Sequence, residues 1–328
     1  MKALITGGSG LLGSELTRLL IAEGRRPVVM DIAPPGAALG AAADGFDFVS
    51  GSFADRDRLM AAIQTHGVDT LFHLGGMLSV PSEDAPETAV RLNGMGTFEV
   101  LETARLGQID KVVFASSIAV YGLDLPDGPV DDRRLQRPTS LYGICKVFSE
   151  QLGLYFARRY GLDFRGLRLP SVVAPGCRVA HMSIYNSWAI EEPLKGNPYR
   201  IPVDPSIRCP TLYYKDAVRA LWMLGTAAPE TVKTRVYNIA GRRPFYSAQD
   251  LCDRVLDRLP TADLDFEVDA RINGLLGGLA RINLDDGCAR NEWGWAPAFD
   301  LDDMITDFAA EVAERSDSSA PDEKGASS

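Results

Sequence analysis

The chain has 328 residues, enough for one large α/β unit or two interleaved lobes around a buried core. Its apolar fraction of 46% is that of an ordinary globular protein, and no apolar run is long enough to cross a bilayer. With a net charge of −10 and no cluster of Lys and Arg, it lacks the basic face that nucleic-acid binding needs. The five cysteines, Cys145, Cys177, Cys209, Cys252 and Cys288, are odd in number and widely spaced, which argues against a disulfide framework or a zinc site, and no metal is expected. Met1 to Ile5 run straight into a glycine turn without a cleavage site, so a cytoplasmic enzyme is the expectation.

Residues 2–6 read as a short buried strand, followed by a tight turn at Gly7, Gly8, Ser9 and Gly10 and an amphipathic helix from Leu11 to Glu23. A second strand at 27–31 ends on Asp31. Further strands are predicted at 46–50, 69–73, 111–115 and 163–168, with helices at 55–66, 84–106 and 139–160. Strands alternating with helices at this spacing imply βαβ units and a Rossmann-type, doubly wound parallel sheet. Beyond Arg168 seven prolines, from Pro170 to Pro210, cut the chain into short pieces. A helix at 215–225 and a strand at 235–239 are expected to return to the main sheet, and 247–259 and 301–314 to be helical. The predicted organisation is a cofactor domain from 1–170 plus 215–239, a smaller substrate lobe from 171–214 and 240–314, and a disordered polar tail over 315–328.

Gly7, Gly10 and Gly13 form a G-x-x-G-x-x-G fingerprint between the first strand and the first helix. Glycine there permits the tight turn and close approach of a pyrophosphate to the free N–H groups of the helix N-terminus. Asp31 is placed to accept hydrogen bonds from both adenosine ribose hydroxyls and to repel the 2′-phosphate of NADP, so NAD is the expected cofactor. Tyr142 and Lys146 stand i, i+4 on a predicted helix and project from one face. An ammonium beside a phenol favours the phenolate, which can act as a general base. The strand Val112–Ala115 runs into Ser116 and Ser117, where α/β folds bind ligands.

These segments resemble the extended short-chain dehydrogenase/reductase family, the NAD-dependent epimerase/dehydratase enzymes. The resemblance is carried by Thr6 to Gly13, His73-Leu74-Gly75-Gly76, Asn93 with Gly96-Thr97, Ser116-Ser117 and Tyr142-Gly143-Ile144-Cys145-Lys146. It implies Ser117, Tyr142 and Lys146 as the catalytic set, with Ser117 preferred because it stands four residues before Tyr121. It also implies NAD contacts from Gly7, Gly10, Leu11, Leu12, Asp31, Ser52, Phe53, Leu74, Gly75, Gly76, Tyr142, Lys146, Pro170 and Val172. Gly75 and Gly76 replace the family's usual alanines, and Ser52-Phe53 replaces an Asp with an aliphatic residue. By the same resemblance His73 is structural, and Asn93 orients a helix or a water.

Within the family the pattern is most like the short-chain type of L-threonine 3-dehydrogenase, on Leu78-Ser79, the run Pro210 to Ala217, the segment Ile282 to Trp295, and Asp300-Leu301 with Met304. The tryptophan segment reads mainly as a packing unit. The loop Val179 to Tyr185 departs from that branch, and Leu167 to Pro170 with Glu192 to Gly196 are similar to sugar-acid dehydrogenases. The expected substrate is therefore a small hydroxy acid or hydroxy amino acid, contacted by Ser79, Ser117, Tyr142, Met182, Ser183 and Thr211. A sugar-nucleotide 4-epimerase or dehydratase uses the same catalytic trio, and a non-catalytic NAD sensor is a third reading. The family commonly dimerises through helices corresponding to 84–106 and 139–160, where Leu92, Phe98, Leu101, Phe148, Leu152 and Phe156 supply apolar surface for a homodimer.

Overall fold

The computed structural model describes residues 1–317 apart from Ala41, Asp124, Pro126, Asp127, Ala180 and Met182. Its strands, in chain order, are β1 (Ala3–Thr6), β2 (Val28–Asp31), β3 (Asp47–Ser50), β4 (Thr70–His73), β5 (Lys111–Ser117), β6 (Pro129–Val130), β7 (Asp163–Leu169), β8 (Ser171–Val173), β9 (Tyr199–Ile201), β10 (Thr211–Tyr213), β11 (Val236–Asn238), β12 (Leu264–Phe266) and β13 (Asn283–Leu284). Seven of them form one parallel sheet in the order β11-β7-β5-β4-β1-β2-β3. The order reverses beside β1, so the cleft opens at the C-terminal ends of β1 and β4, at the switch point of a doubly wound fold.

Both faces of the sheet are covered, and side-chain alternation along each strand divides them. Ile5, Phe72, Val113 and Leu167 pack on one face with Leu16, Leu20, Leu221 and Leu224 of the Leu11–Ala22 and Tyr214–Thr226 helices. Their neighbours Leu4, Leu71, Val112 and Phe114 pack on the other face with Leu59, Leu101 and Phe156. A third core lies outside the sheet and joins Tyr185, Val203, Tyr213, Leu251, Leu276 and Phe308 from widely separated segments. Three parallel pairs, β8 with β10, β9 with β12 and β6 with β13, stitch these segments together. Trp295 is 2% exposed in the sheet core, and Asp216 accepts the backbone N–H groups of Ala298 and Phe299 at 2.9 and 3.1 Å. Both are packing devices.

Three expectations change. The helix expected over 84–106 is segmented into Ser79–Asp84, Pro86–Ala89, a π turn at Val90–Gly96 and Thr97–Leu106. Pro86 can only start a helical segment, and Asn93 pulls the π turn toward the loop after β4. Of the six residues expected to offer apolar surface, Leu101 and Phe156 are buried in the subunit core, and Phe98 and Leu152 pack against it. The last helix, Leu301–Asp317, extends into the segment expected to be disordered, and residues 318–328 lie outside the described residues.

Candidate active site

The first turn is built so that only glycine fits. Gly7 has φ +68°, and a Cβ on it would lie 2.6 Å from the Gly75 Cα. A Cβ on Gly13 would lie 2.3 Å from the Gly7 carbonyl oxygen. The Leu11–Ala22 helix then begins at Gly10 with no side chain capping its first turn, leaving that end to an anion. Leu11 and Leu12 are half-buried and pack against the third core. At the end of β2, Asp31 accepts the Ser9 N–H on Oδ2 and the Ala33 N–H on Oδ1, each at 3.0 Å. Each oxygen keeps a further lone pair for a hydroxyl donor. A bare helix N-terminus, a cradle closed to Cβ atoms and a fixed carboxylate 21 residues past the last turn glycine (residue 10) fit the pyrophosphate and ribose of NAD.

The two departures from the family pattern prove to be coupled. A Cβ on Gly75 would lie 2.6 Å from the Phe53 ring, and one on Gly76 would lie 2.8 Å from Asn93 Oδ1. Phe53 turns inward and packs edge-on against His73, with ring centroids 5.0 Å apart. Ser52 Oγ accepts the Ala54 N–H at 3.2 Å and so shapes its own turn. Leu74 N–H bonds the Thr6 carbonyl at 3.2 Å, which docks the loop after β4 against the glycine turn. His73 is 1% exposed, and its two ring nitrogens face Thr6 Oγ1 at 2.7 Å and Thr97 Oγ1 at 3.2 Å. Burial, aided by the Lys146 charge, pushes it down to about 3, so it is a neutral structural imidazole. Asn93 accepts the Met77 N–H at 2.8 Å and donates to the Met77 carbonyl at 3.0 Å, holding the same loop.

At the end of β5 strand alternation separates the two serines. Ser116 is buried and donates to Glu150 at 2.5 Å. The Ser117 hydroxyl lies on the side of Tyr142 and favours its ionised form. Ser140 caps the Leu141–Tyr160 helix by accepting the Gly143 N–H at 3.1 Å, which fixes where that helix starts. A Cβ on Gly143 would lie 2.1 Å from the Ala119 carbonyl oxygen, so glycine there lets the helix press Tyr142 onto the end of β5. One turn on, the Lys146 ammonium donates to the Ala115 carbonyl at 2.6 Å and lies 5.4 Å from the Tyr142 ring centroid. Burial raises Tyr142 to about 12, partly offset by the Ser117 hydroxyl. Burial lowers Lys146 to about 8, opposed mainly by Glu150.

Glu150 was not singled out by the sequence, although Tyr142, Lys146 and Glu150 follow each other at i, i+4, i+8 on one helix face. It is fully buried, pairs with Arg168 of β7 at 2.8 Å, and accepts from Gln136 at 2.6 Å. Arg168 also donates to the Tyr121 hydroxyl at 2.7 Å, which in turn donates to Asn238 of β11 at 2.9 Å. The network pins the three strands next to the cleft.

The remaining sequence candidates sit on separate elements. Ser79 is half-buried at the first position of the Ser79–Asp84 helix. Pro170 is buried between β7 and β8, and Val172 is half-buried between two cores. Ser183 is buried in the loop after β8, and Thr211 is buried at the start of β10. Met182 lies outside the described residues.

An NAD-using oxidoreductase with a Rossmann domain and a separate C-terminal lobe is what this fold and cleft define. The chain belongs to the NAD dependent epimerase/dehydratase family, whose model matches residues 3–240. It is similar to the mitochondrial L-threonine 3-dehydrogenase of Bos taurus, with 30% identity over 313 residues, 93% of this chain and 81% of that protein. Among solved structures it resembles an L-threonine dehydrogenase of Cupriavidus necator in its holo form, with TM-score 0.85 and 27% identity over 95% of this chain and 100% of that one. A Thermotoga maritima UDP-glucose 4-epimerase with UDP-glucose shares the fold at TM-score 0.81 and 23% identity, over 96% of this chain and 99% of that one. No helix among the described residues is long and apolar enough to cross a membrane.

Proposed function

We propose that the chain oxidises the secondary alcohol of a small hydroxy acid or hydroxy amino acid, of the kind represented by L-threonine, to a ketone. NAD, when bound, supplies the electron acceptor for the carbinol hydrogen and its electron pair. Tyr142 takes the hydroxyl proton as general base, and Ser117 holds the reacting oxygen by its hydroxyl. Lys146 favours the phenolate of Tyr142 by its charge and offers donors to the nicotinamide ribose. Gly7, Gly10 and the N-terminus of the Leu11–Ala22 helix hold the pyrophosphate, and Asp31 holds the adenosine ribose. Pro170 and Val172 flank the nicotinamide, and residues 171–214 with 240–314 form the substrate lobe. The observation that carries this reading is the convergence of Ser117 and Lys146 on the Tyr142 side chain at the C-terminal end of the parallel sheet.

The test is NADH absorbance with free NAD and a panel of 3-hydroxy acids, L-threonine and sugar acids. Stoichiometric NADH is expected. Consumption of sugar nucleotides alone, without net NADH, replaces this reading with the epimerase one, and NAD binding with no turnover of any alcohol leaves a sensor.

The helices bearing the π turn and Tyr142 also leave Val90, Met95, Ile144 and Phe148 about half exposed. We infer that this apolar face pairs two copies as a homodimer. Light scattering at micromolar concentration is expected to give twice the 35.6 kDa chain mass, and a monomer rejects the pairing.

A further inference from the structure

The ammonium on which the proton transfer depends is buried in surroundings that disfavour it. Lys146 Nζ lies 4.6 Å from the Phe114 ring centroid and 5.4 Å from that of Tyr142, and it donates to the Ala115 carbonyl. On the neighbouring strand β4, His73 is a neutral imidazole and brings no negative charge. On the same helix Cys145 is buried and its thiol is pushed up, so it too is uncharged at neutral pH. A buried ammonium without a counter-charge tends to lose its proton. Among the described residues the carboxylate that offsets this burial is Glu150, one helical turn past Lys146 on the same face.

The same carboxylate is held back from Lys146. Its Oε1 accepts from Ser116 Oγ at 2.5 Å and Arg168 Nε at 3.0 Å, and its Oε2 accepts from Arg168 Nη2 at 2.8 Å and Gln136 Nε2 at 2.6 Å. Arg168 is anchored in turn by the Tyr121 hydroxyl and the Asp132 carbonyl. A direct ion pair with Glu150 would occupy the donors of Lys146. A carboxylate one turn away supplies charge and leaves the remaining N–H donors for Tyr142 and the nicotinamide ribose. The Ser116 bond adds a constraint of geometry. Ser116 lies between Ala115, whose carbonyl receives Lys146, and Ser117, so clamping it fixes both neighbours at the end of β5.

We propose that Glu150 is a positioning residue for the proton transfer: its buried carboxylate holds Lys146 as an ammonium without tying it down, and through Ser116 it sets the strand end that carries Ala115 and Ser117. This rests on the dehydrogenase reading above and deepens it. Removing the negative charge favours the neutral amine, so Lys146 then gives up its proton at a lower pH.

The full-length protein is assayed with saturating NAD and whichever acid of the panel gives the most NADH, and kcat/KM is followed against pH. Glu150→Gln is expected to move the alkaline fall in kcat/KM down by about one pH unit and to lower the value at pH 7 by about tenfold. Glu150→Asp keeps the charge on a shorter arm, and its alkaline fall is expected to stay near the parent's. Ser116→Ala is expected to lower kcat/KM without moving that fall. Melting temperature checks folding. Glu150→Gln leaves Arg168 buried without its partner, so Glu150→Gln combined with Arg168→Gln, which leaves no lone buried charge, carries the same test where the single variant does not fold. An alkaline fall unmoved in the folded variant, or moved as far by Glu150→Asp as by Glu150→Gln, overturns the role of Glu150 while sparing the dehydrogenase. No NADH from the parent with any acid of the panel overturns both.

Discussion

Residues 3–169 place six parallel strands of four to seven residues in one sheet, whereas the segments from 171 to 284 are joined by strand pairs only two or three residues long. In the first region the inner strands bury both faces, and their alternation sorts Leu4 from Ile5 and Val112 from Val113 into opposite cores, while the edge strand β3 leaves Phe48 and Ser50 exposed. In the second, the core gathers Tyr185, Val203, Leu251, Leu276 and Phe308 from five stretches of chain. The first region fixes its chemistry through spacing along single elements: Gly7 to Gly13 in one turn, Tyr142 to Lys146 on one helix. The second brings its polar groups together through contacts between separate elements, as in Ser171 of β8 with Ser183 and His181 of the loop that follows. The proposed reaction chemistry is therefore encoded locally, and the arrangement of the second region non-locally.

The largest effect that tests this division is on chemistry. Tyr142→Phe removes the phenolic oxygen while keeping the ring and the helix. Turnover is expected to fall by about 10² to 10⁴, the usual loss for a general base. NAD binding, followed by fluorescence titration, is expected to remain because the glycine turn and Asp31 are untouched. Near-normal turnover breaks the assignment of chemistry to the first region.

A smaller effect concerns how the cleft floor is kept rigid. His73 stays neutral in the folded protein down to about pH 3, while an unfolded histidine takes up a proton near pH 6.5. Between these values the unfolded state binds more protons, so stability falls as the pH falls. By pH 5 this amounts to about 2 kcal/mol relative to pH 7. His181, lowered to about 4, adds in the same direction. Urea unfolding at pH 7 and pH 5 is expected to show a shallower loss in His73→Gln than in the parent, and equal losses discard His73 as a buried neutral group.

Much of the first region was legible because its residues act at fixed spacings. The glycine turn, Asp31 and the Tyr142–Lys146 pair follow from strand, turn and helix periods. Ser117 was separable from Ser116 only by resemblance, since which serine faces Tyr142 depends on the strand register; the structure turns Ser116 to Glu150. Glu150 itself went unseen because a buried glutamate is written like a surface one until Arg168 arrives from another strand. The second region was legible only in outline. Strands of two or three residues have no period to read, and β8, β9 and β10 form because distant partners meet them. The spacing of apolar residues on the long helices does not separate an interface stripe from a core stripe, and Leu101 and Phe156 belong to the subunit's own core. One stripe of a helix and its neighbour differ by a rotation that the sequence does not state.

Phe53 gives the finest test, because the resemblance placed it at the cofactor and the structure packs it on His73. If the glycine at position 75 exists to admit that ring, the two residues must be energetically coupled. An alanine at Gly75 brings a methyl to 2.6 Å from Phe53 Cδ1, well inside contact distance. The ring has little room to retreat: His73 lies edge-on at 5.0 Å, and a Cβ on Gly96 would sit 2.8 Å from its other side. Gly75→Ala should therefore overpack the site, while Phe53→Leu should leave a small void. The double variant lets the new methyl occupy part of that void, so its destabilisation should be less than the sum of the two. Equilibrium unfolding of the four proteins is expected to give a coupling of about 1 kcal/mol, within the range for residues in contact. Additivity within about 0.3 kcal/mol separates the two departures and leaves the glycine without a packing cause.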